Sequence, residues 1–174
     1  DYMMHETGLR ILIRKVQLVA AQYDKAMSPI FSYSKEHYMR VFLRNDKGKN
    51  KVDEILEQHG MFDNAGPMWL GRLWDSTLAD RIYTSSINSK IFNENKELTR
   101  FLRTIRDESG TDFIGFYDLN YIAEKNKITK LPKKELIKDK IRKSGYNASD
   151  THFTGSGIRS DIPMNDLVKI LKNK

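Results

Sequence analysis

The sequence predicts an α+β fold in which small antiparallel sheets pack with helices and the C-terminal part is winged-helix-like. Three observations predict it. Stretches of helical period and stretches of period two are mixed along the 174 residues, without the regular βαβ alternation that builds a parallel sheet. No internal repeat or low-complexity tract interrupts them. After residue 113 the order becomes helix, turn, basic helix, strand, glycine loop, strand, which is the order of a winged helix. The composition shifts at about the same place, dividing the chain into a helix/strand lobe at 1–110 and a basic lobe at 111–174.

The elements follow in order. Residues 5–27 carry Leu9, Leu12, Ile13, Val16, Val19, Ala20 and Tyr23 at helical spacing, with Arg10, Arg14 and Gln17 on the opposite side. Ile11 and Leu18 widen that stripe, so the helix is expected to be covered on more than one side. Ser28-Pro29 ends it. Ile30 to Tyr33 is short and β-prone. From His37 to Asn45 the pattern alternates: Met39, Val41 and Leu43 face one way, and Tyr38, Arg40, Phe42 and Arg44 face the other. Asn45 to Gly48 is a turn. Val52, Ile55, Leu56 and His59 mark a short helix stopped by Gly60. Gly66 to Asp75 reads as a strand with two tryptophans, and Asp75 or Ser76 caps a helix carrying Leu78, Ile82 and Ile87. Leu98, Phe101, Leu102 and Ile105 mark the next helix, ended at Ser109-Gly110.

In the C-terminal lobe, Asp118 caps a helix over Leu119, Tyr121 and Ile122. Pro132 suits the first position of the following helix, where its missing N–H costs nothing. That helix buries Leu136, Ile137 and Ile141 and carries Lys134, Lys138 and Arg142 as a row on another side. Tyr146 to Phe153 is β-prone, Thr154 to Gly157 is a loop, and Ile158 to Ile162 pairs back. Asn165 caps a last helix over Leu167, Val168 and Leu171.

Charge is unevenly spread. Residues 125–174 hold thirteen Lys/Arg against five Asp/Glu, a net of +8. The whole chain is +7, so the first 124 residues sum to −1. Such asymmetry points to a polyanion partner for the C-terminal part, with a solvated lysine-rich surface as the plain alternative. The chain has no cysteine, which excludes disulfides, thiolate metal sites and a cysteine nucleophile. No two of its four histidines have helical ligand spacing, so no metal is expected. No apolar run is long enough to span a bilayer, and the first residues do not form a signal peptide. The expected location is cytoplasmic. The chain starts at Asp1 without an initiator Met, and this start is expected to be a cut point inside a longer protein.

Two constellations favour nucleic acid. The strand face Tyr38-Arg40-Phe42-Arg44 interleaves aromatics with guanidinium groups, which stack bases and neutralise phosphates together. The competing arrangement has a helix over Tyr38 and Phe42 and the arginines reaching to its edge. The second is the basic helix, with Lys134, Lys138 and Arg142 facing phosphates and Lys133, Lys140 and Lys143 beside them. The loop Gly155–Gly157, flanked by His152 and Arg159, would be the wing tip. The candidate RNA-binding set is therefore Arg40, Arg44, Lys133, Lys134, Lys138, Arg142, Lys143, His152 and Arg159. Catalytic signatures are missing. No glycine-rich loop follows a strand, and no nucleophile elbow or P-loop occurs. Glu6 of the His5-Glu6 pair reads as a favourable charge near a helix start.

Taken in order, His5-Glu6 with Leu9-Arg10, Tyr38-x-Arg40-Val41-Phe42, Gly66-Pro67-x-Trp69-x-Gly71-x-Leu73-x-Asp75, and Gly145-Tyr146-x-Ala148-Ser149-x-Thr151-His152-Phe153 followed by Gly157-Ile158-Arg159-x-Asp161 form a pattern. It resembles the C-terminal half of the tRNA (guanine-26) N2,N2-dimethyltransferase family in its archaeal form, over nearly the whole chain. The resemblance implies a parent enzyme that uses S-adenosylmethionine to methylate the exocyclic amine of a tRNA guanine. It also implies that the methyl-donor domain and its acidic catalytic motif lie N-terminal to this segment. This chain is then expected to bind no cofactor itself, to contain no catalytic residue, and to have tRNA and that N-terminal domain as partners. Some members carry cysteine pairs before the Gly-Pro-x-Trp motif. Here Glu57-Gln58-His59-Gly60-Met61 stands there instead, which excludes a metal-bound variant. A winged-helix module for duplex DNA or for a protein partner is the alternative, and a scaffold that only stabilises a catalytic half is a third.

Overall fold

The computed structural model describes residues 2–111 and 113–172, with seven helices and seven strands among them. Helix α1 (Met4–Ala21) leads through a turn at Asp24, whose φ is +52°, into a two-stranded antiparallel ribbon of β1 (Lys25–Lys35) and β2 (Tyr38–Lys47). The first helix is therefore shorter than its periodicity suggested, because Lys25 to Met27 pair with Lys47 to Asn45 in the ribbon. Helix α2 (Lys49–Leu56) precedes a second ribbon of β3 (His59–Phe62) and β4 (Ala65–Trp69). His59 thus belongs to a strand and not to the helix. The segment after Trp69 is irregular, with a bridge between Phe31 and Trp74 joining it to β1.

Helices α3 (Ser76–Asn88) and α4 (Lys96–Ser109) form a hairpin. Asp75 caps α3 by accepting from the Leu78 N–H at 3.0 Å, and Asn95 caps α4 by accepting from the Leu98 N–H at 2.9 Å. These elements share one core, in which Leu9, Ile13, Phe31, Val52, Ile55, Trp69, Leu73, Trp74, Leu102 and Ile105 are buried.

The C-terminal part contains β5 (Tyr117–Asp118), α5 (Leu119–Lys125), α6 (Lys134–Lys143), β6 (Ala148–Asp150), β7 (Gly157–Ser160) and α7 (Met164–Lys172). Its sheet has the order β5-β7-β6, all antiparallel, with β7 in the middle. Two helices between the first strand and a following hairpin make this part winged-helix-like. Asp118 caps α5 as expected, accepting from the Asn120 and Tyr121 N–H groups. Helix α6 starts at Lys134, two residues after Pro132, and α7 at Met164, one before Asn165. A second core of Leu119, Ile122, Ile137, Ile141, Ile158, Ile162, Leu167 and Leu171 lies inside this part, while Leu136 stays exposed. Among the described residues no helix is long and apolar enough to cross a membrane.

The orientation of α1 differs from its periodicity. Its inner face buries Glu6, Leu9, Arg10, Ile13, Gln17 and Ala20, whereas Leu12, Val19 and Tyr23 are exposed. Polar partners supplied by distant segments turn the helix this way. Arg10 donates to the carbonyls of Trp69 and Gly71 at 3.0 and 2.9 Å, and Gln17 donates to the Met27 carbonyl at 2.9 Å. Buried polar groups are tolerated when each finds a partner.

Candidate nucleic-acid interface

The β1–β2 ribbon has two unlike faces because strand side chains alternate. Its inner side lies on α1, with Ser32 and Ser34 buried and the Met39 methyl against Gly8. Its outer side carries Tyr38, Arg40, Phe42 and Arg44 from β2, all exposed, with Tyr38 and Phe42 retaining 44% and 47% of their surface. The open arrangement of this row is the one realised. Helix α4 meets the ribbon on β1, where Phe101 contacts Tyr33 edge-on at 5.2 Å.

Register brings further residues to this face. Phe31, buried in the first core, pairs with Phe42, while the half-buried Tyr33 pairs with Arg40 and Lys35 with Tyr38. The Tyr33 and Tyr38 rings lie 6.2 Å apart, and the Arg40 guanidinium sits 5.4 Å from the Tyr38 ring. Arg44 pairs with Asp46 at 3.2 Å in solvent. Tyr33 and Lys35 are absent from the sequence-based set because Pro29 obscures the strand. The alternation of Phe31, Tyr33 and Lys35 was the available signal. The result is a platform of π-faces with guanidinium groups beside them, suited to unstacked bases and their phosphates.

The basic row of α6 is placed otherwise. The Lys134 ammonium lies 2.8 Å from Asp150 and donates to the Gly155 carbonyl at 3.0 Å. Lys138 is buried and pairs with Glu135 at 2.8 Å and Asp150 at 3.1 Å. Arg142 donates to the Ala148 carbonyl at 2.7 Å while remaining exposed. The row therefore fastens α6 to β6. Lys133 and Lys143 are exposed.

His152 and Arg159 need the largest correction, because both point inward. Arg159 is 0% exposed. Its guanidinium meets Glu6 at 2.7 Å and Glu108 at 3.1 Å, and donates to the carbonyls of Phe113 and Gly115 at 2.8 and 2.9 Å. The His152 Nδ1 lies 2.5 Å from Glu108, and the His152 backbone N–H donates to the same carboxylate at 3.0 Å. Glu6 also accepts from Arg10 at 2.9 Å and from the Gly115 N–H at 3.0 Å. Neither His152 nor Arg159 is a surface group that a polyanion reaches in this structure. Together they tie α1, α4 and β7 into one buried charge cluster.

The electrostatics match this geometry. Burial alone would raise the Glu6 carboxyl, but Arg159 and Arg10 reverse this and hold it at about 2. Glu108 is likewise lowered against burial by His152 and Arg159. Arg159 is raised by its two carboxylates despite the cost of burial. Glu6, read in the sequence as a charge at a helix start, is thus an internal partner.

The comparisons with known proteins agree with this architecture. The family model described as N2,N2-dimethylguanosine tRNA methyltransferase matches residues 1–64 and 57–172. The tRNA (guanine(26)-N(2)/guanine(27)-N(2))-dimethyltransferase of Aquifex aeolicus is 34% identical over 95% of the chain and 48% of its own length. The tRNA (guanine(26)-N(2))-dimethyltransferase of Thermococcus kodakarensis is 30% identical over 98% of the chain and 49% of its own length. The solved complex of Trm1 from Pyrococcus horikoshii with S-adenosyl-L-methionine superposes with a TM-score of 0.88 at 29% identity, over 99% of this chain and 51% of that one. The chain spans about half the length of the curated relatives it matches. It belongs to the N2,N2-dimethylguanosine tRNA methyltransferase family.

Proposed function

We propose that this chain is the tRNA-holding half of a tRNA guanine-N2 dimethyltransferase. The observation that carries this is the open Tyr38-Arg40-Phe42-Arg44 face of β2, a stacking and phosphate-neutralising surface in a chain of this family. Lys133 and Lys143 supply further exposed charge on the winged-helix-like part. Transfer of methyl groups from S-adenosylmethionine to the N2 amine of a tRNA guanine belongs, on this reading, to the whole enzyme. The described strands form two- and three-stranded antiparallel sheets. They do not build the crevice at the carboxyl ends of parallel strands that a doubly wound cofactor fold uses. On this reading the cofactor is bound, and the chemistry performed, by the other half of the enzyme.

The test is methyl transfer. The full-length protein with S-adenosylmethionine should label tRNA, and a Tyr38→Ala/Phe42→Ala variant should raise KM for tRNA. Methyl transfer by the 174-residue chain alone would overturn the assignment of chemistry to the other half.

A further inference from the structure

Between the tip of the β1–β2 ribbon, helix α4 and the start of α6 lies a cleft of about 480 Å³. Its size is within the roughly 300–1,000 Å³ range of sites that enclose a small molecule. Phe101 of α4 supplies an aromatic wall and is only half-buried. The cleft continues the platform on β2. Tyr33 stands between the two, its ring 6.2 Å from that of Tyr38 and 5.2 Å from that of Phe101. Lys35, the register partner of Tyr38, lines the cleft with its ammonium 5.8 Å from the centre of the Phe101 ring.

The charges decide what fits. Three cations line the cleft, Lys35, Arg100 and Lys134, and so do three carboxylates, Glu97, Glu135 and Asp150. Lys35 pairs with Glu97 at 2.8 Å, and Lys134 pairs with Asp150 at 2.8 Å. Glu135 is held by Lys138. Arg100 is exposed, and its guanidinium has no partner among the described residues. A groove for a run of phosphates needs a surplus of cations, and this cleft has none. It offers one free guanidinium, an aromatic wall, and donors and acceptors in balance. That set suits a single nucleotide, with its base against Phe101, its polar edge among the carboxylates and ammonium groups, and its phosphate on Arg100. We infer that the cleft receives one unstacked tRNA nucleotide next to the stretch lying on the platform. This rests on the proposed function above. The nucleotide is not the methylated guanine, whose chemistry belongs on that reading to the other half.

The chain has no cysteine, so one introduced thiol reports on the cleft. Thr104 lies in the lining, one turn of α4 after Arg100. Thr104→Cys in the 174-residue chain would be labelled with a maleimide, with and without tRNA. Asn120→Cys, on the exposed side of α5, serves as control. Saturating tRNA should slow labelling at position 104 about tenfold, since thiol reaction follows access, and leave position 120 unchanged. A single-stranded oligouridine should also protect position 104. An RNA duplex of equal length should not, nor should a strand of the same sugar-phosphates without bases. Protection by either as strong as by oligouridine overturns the inference, because an unstacked base is then not what enters. Uridine monophosphate at the same nucleotide concentration should protect only weakly. Equal protection makes the cleft a site for a free nucleotide and overturns its assignment to tRNA. Arg100→Ala should keep the fold by circular dichroism and reduce the salt slope of tRNA binding by about 1. An unchanged slope removes Arg100 from the phosphate. Tight tRNA binding with position 104 still reactive overturns the cleft and leaves the proposed function standing, whereas a chain that binds no tRNA loses both.

Discussion

Arg159 is the hub of the buried charge cluster. It closes two carboxylates that are themselves completely buried, one on α1 and one on α4. Arg159→Met leaves Glu6 and Glu108 without their main counter-charge, and should cost about 3–5 kcal/mol in urea denaturation. The same cluster sets a pH dependence. The folded pKa values of Glu6 and Glu108 lie below their ordinary values. Their contribution to stability is then complete above the unfolded carboxyl pKa near 4.5 and lost as pH falls below it, for Glu6 as pH approaches about 2. The urea midpoint should drop across that window, and Glu6→Gln should flatten the drop while lowering the midpoint at neutral pH. A midpoint that stays constant from about pH 5 down to about pH 2 would remove the cluster from the energetics. His152 and Arg159 were misplaced from sequence because a charged residue beside a glycine loop ordinarily faces solvent. The partners that draw Arg159 inward lie up to 153 positions away, on segments that no local pattern connects.

At the level of elements, the strand face 38–44 was fully legible, since period two maps directly onto two faces. Helix α1 was legible in existence but not in rotation, because distant carbonyls and the Arg159 guanidinium make its polar side the buried one. The row on α6 was legible as a row but not in its partners: Asp150, on the neighbouring strand, draws Lys134 and Lys138 across. Variants should separate these roles. Lys133→Ala and Lys143→Ala should leave stability unchanged and each reduce the salt slope of tRNA binding by about 1 if they meet phosphates. Lys138→Ala should lower stability whether or not RNA is present. Tyr38→Ala and Phe42→Ala should each weaken tRNA binding by about 1–3 kcal/mol through lost stacking, with the fold retained by circular dichroism. The glycines of the Gly-Pro-x-Trp-x-Gly motif serve packing. A Cβ on Gly71 would overlap the Trp69 indole, and one on Gly66 would come within 2.9 Å of the Gly60 carbonyl. Gly71→Ala should therefore lower stability by about 1–3 kcal/mol in thermal melts.

The whole molecule joins two cores through one charge cluster. Leu9 to Ile105 make the first core and Leu119 to Leu171 the second, with Glu6, Glu108 and Arg159 between elements of both. The mixed helix and strand content and the winged-helix order were legible because turn residues and caps punctuate the sequence. The function of the charge was only partly legible. The surplus of lysine lies C-terminal, yet the most open aromatic and basic surface lies on β2, in the part whose net charge is near zero. Direct competition binding tests the central claim. The 174-residue chain should bind labelled tRNA at low salt, lose affinity steeply as salt rises, and be displaced far better by unlabelled tRNA than by duplex DNA of equal length. No binding at low salt, or equal displacement by the two competitors, would contradict a tRNA-holding role.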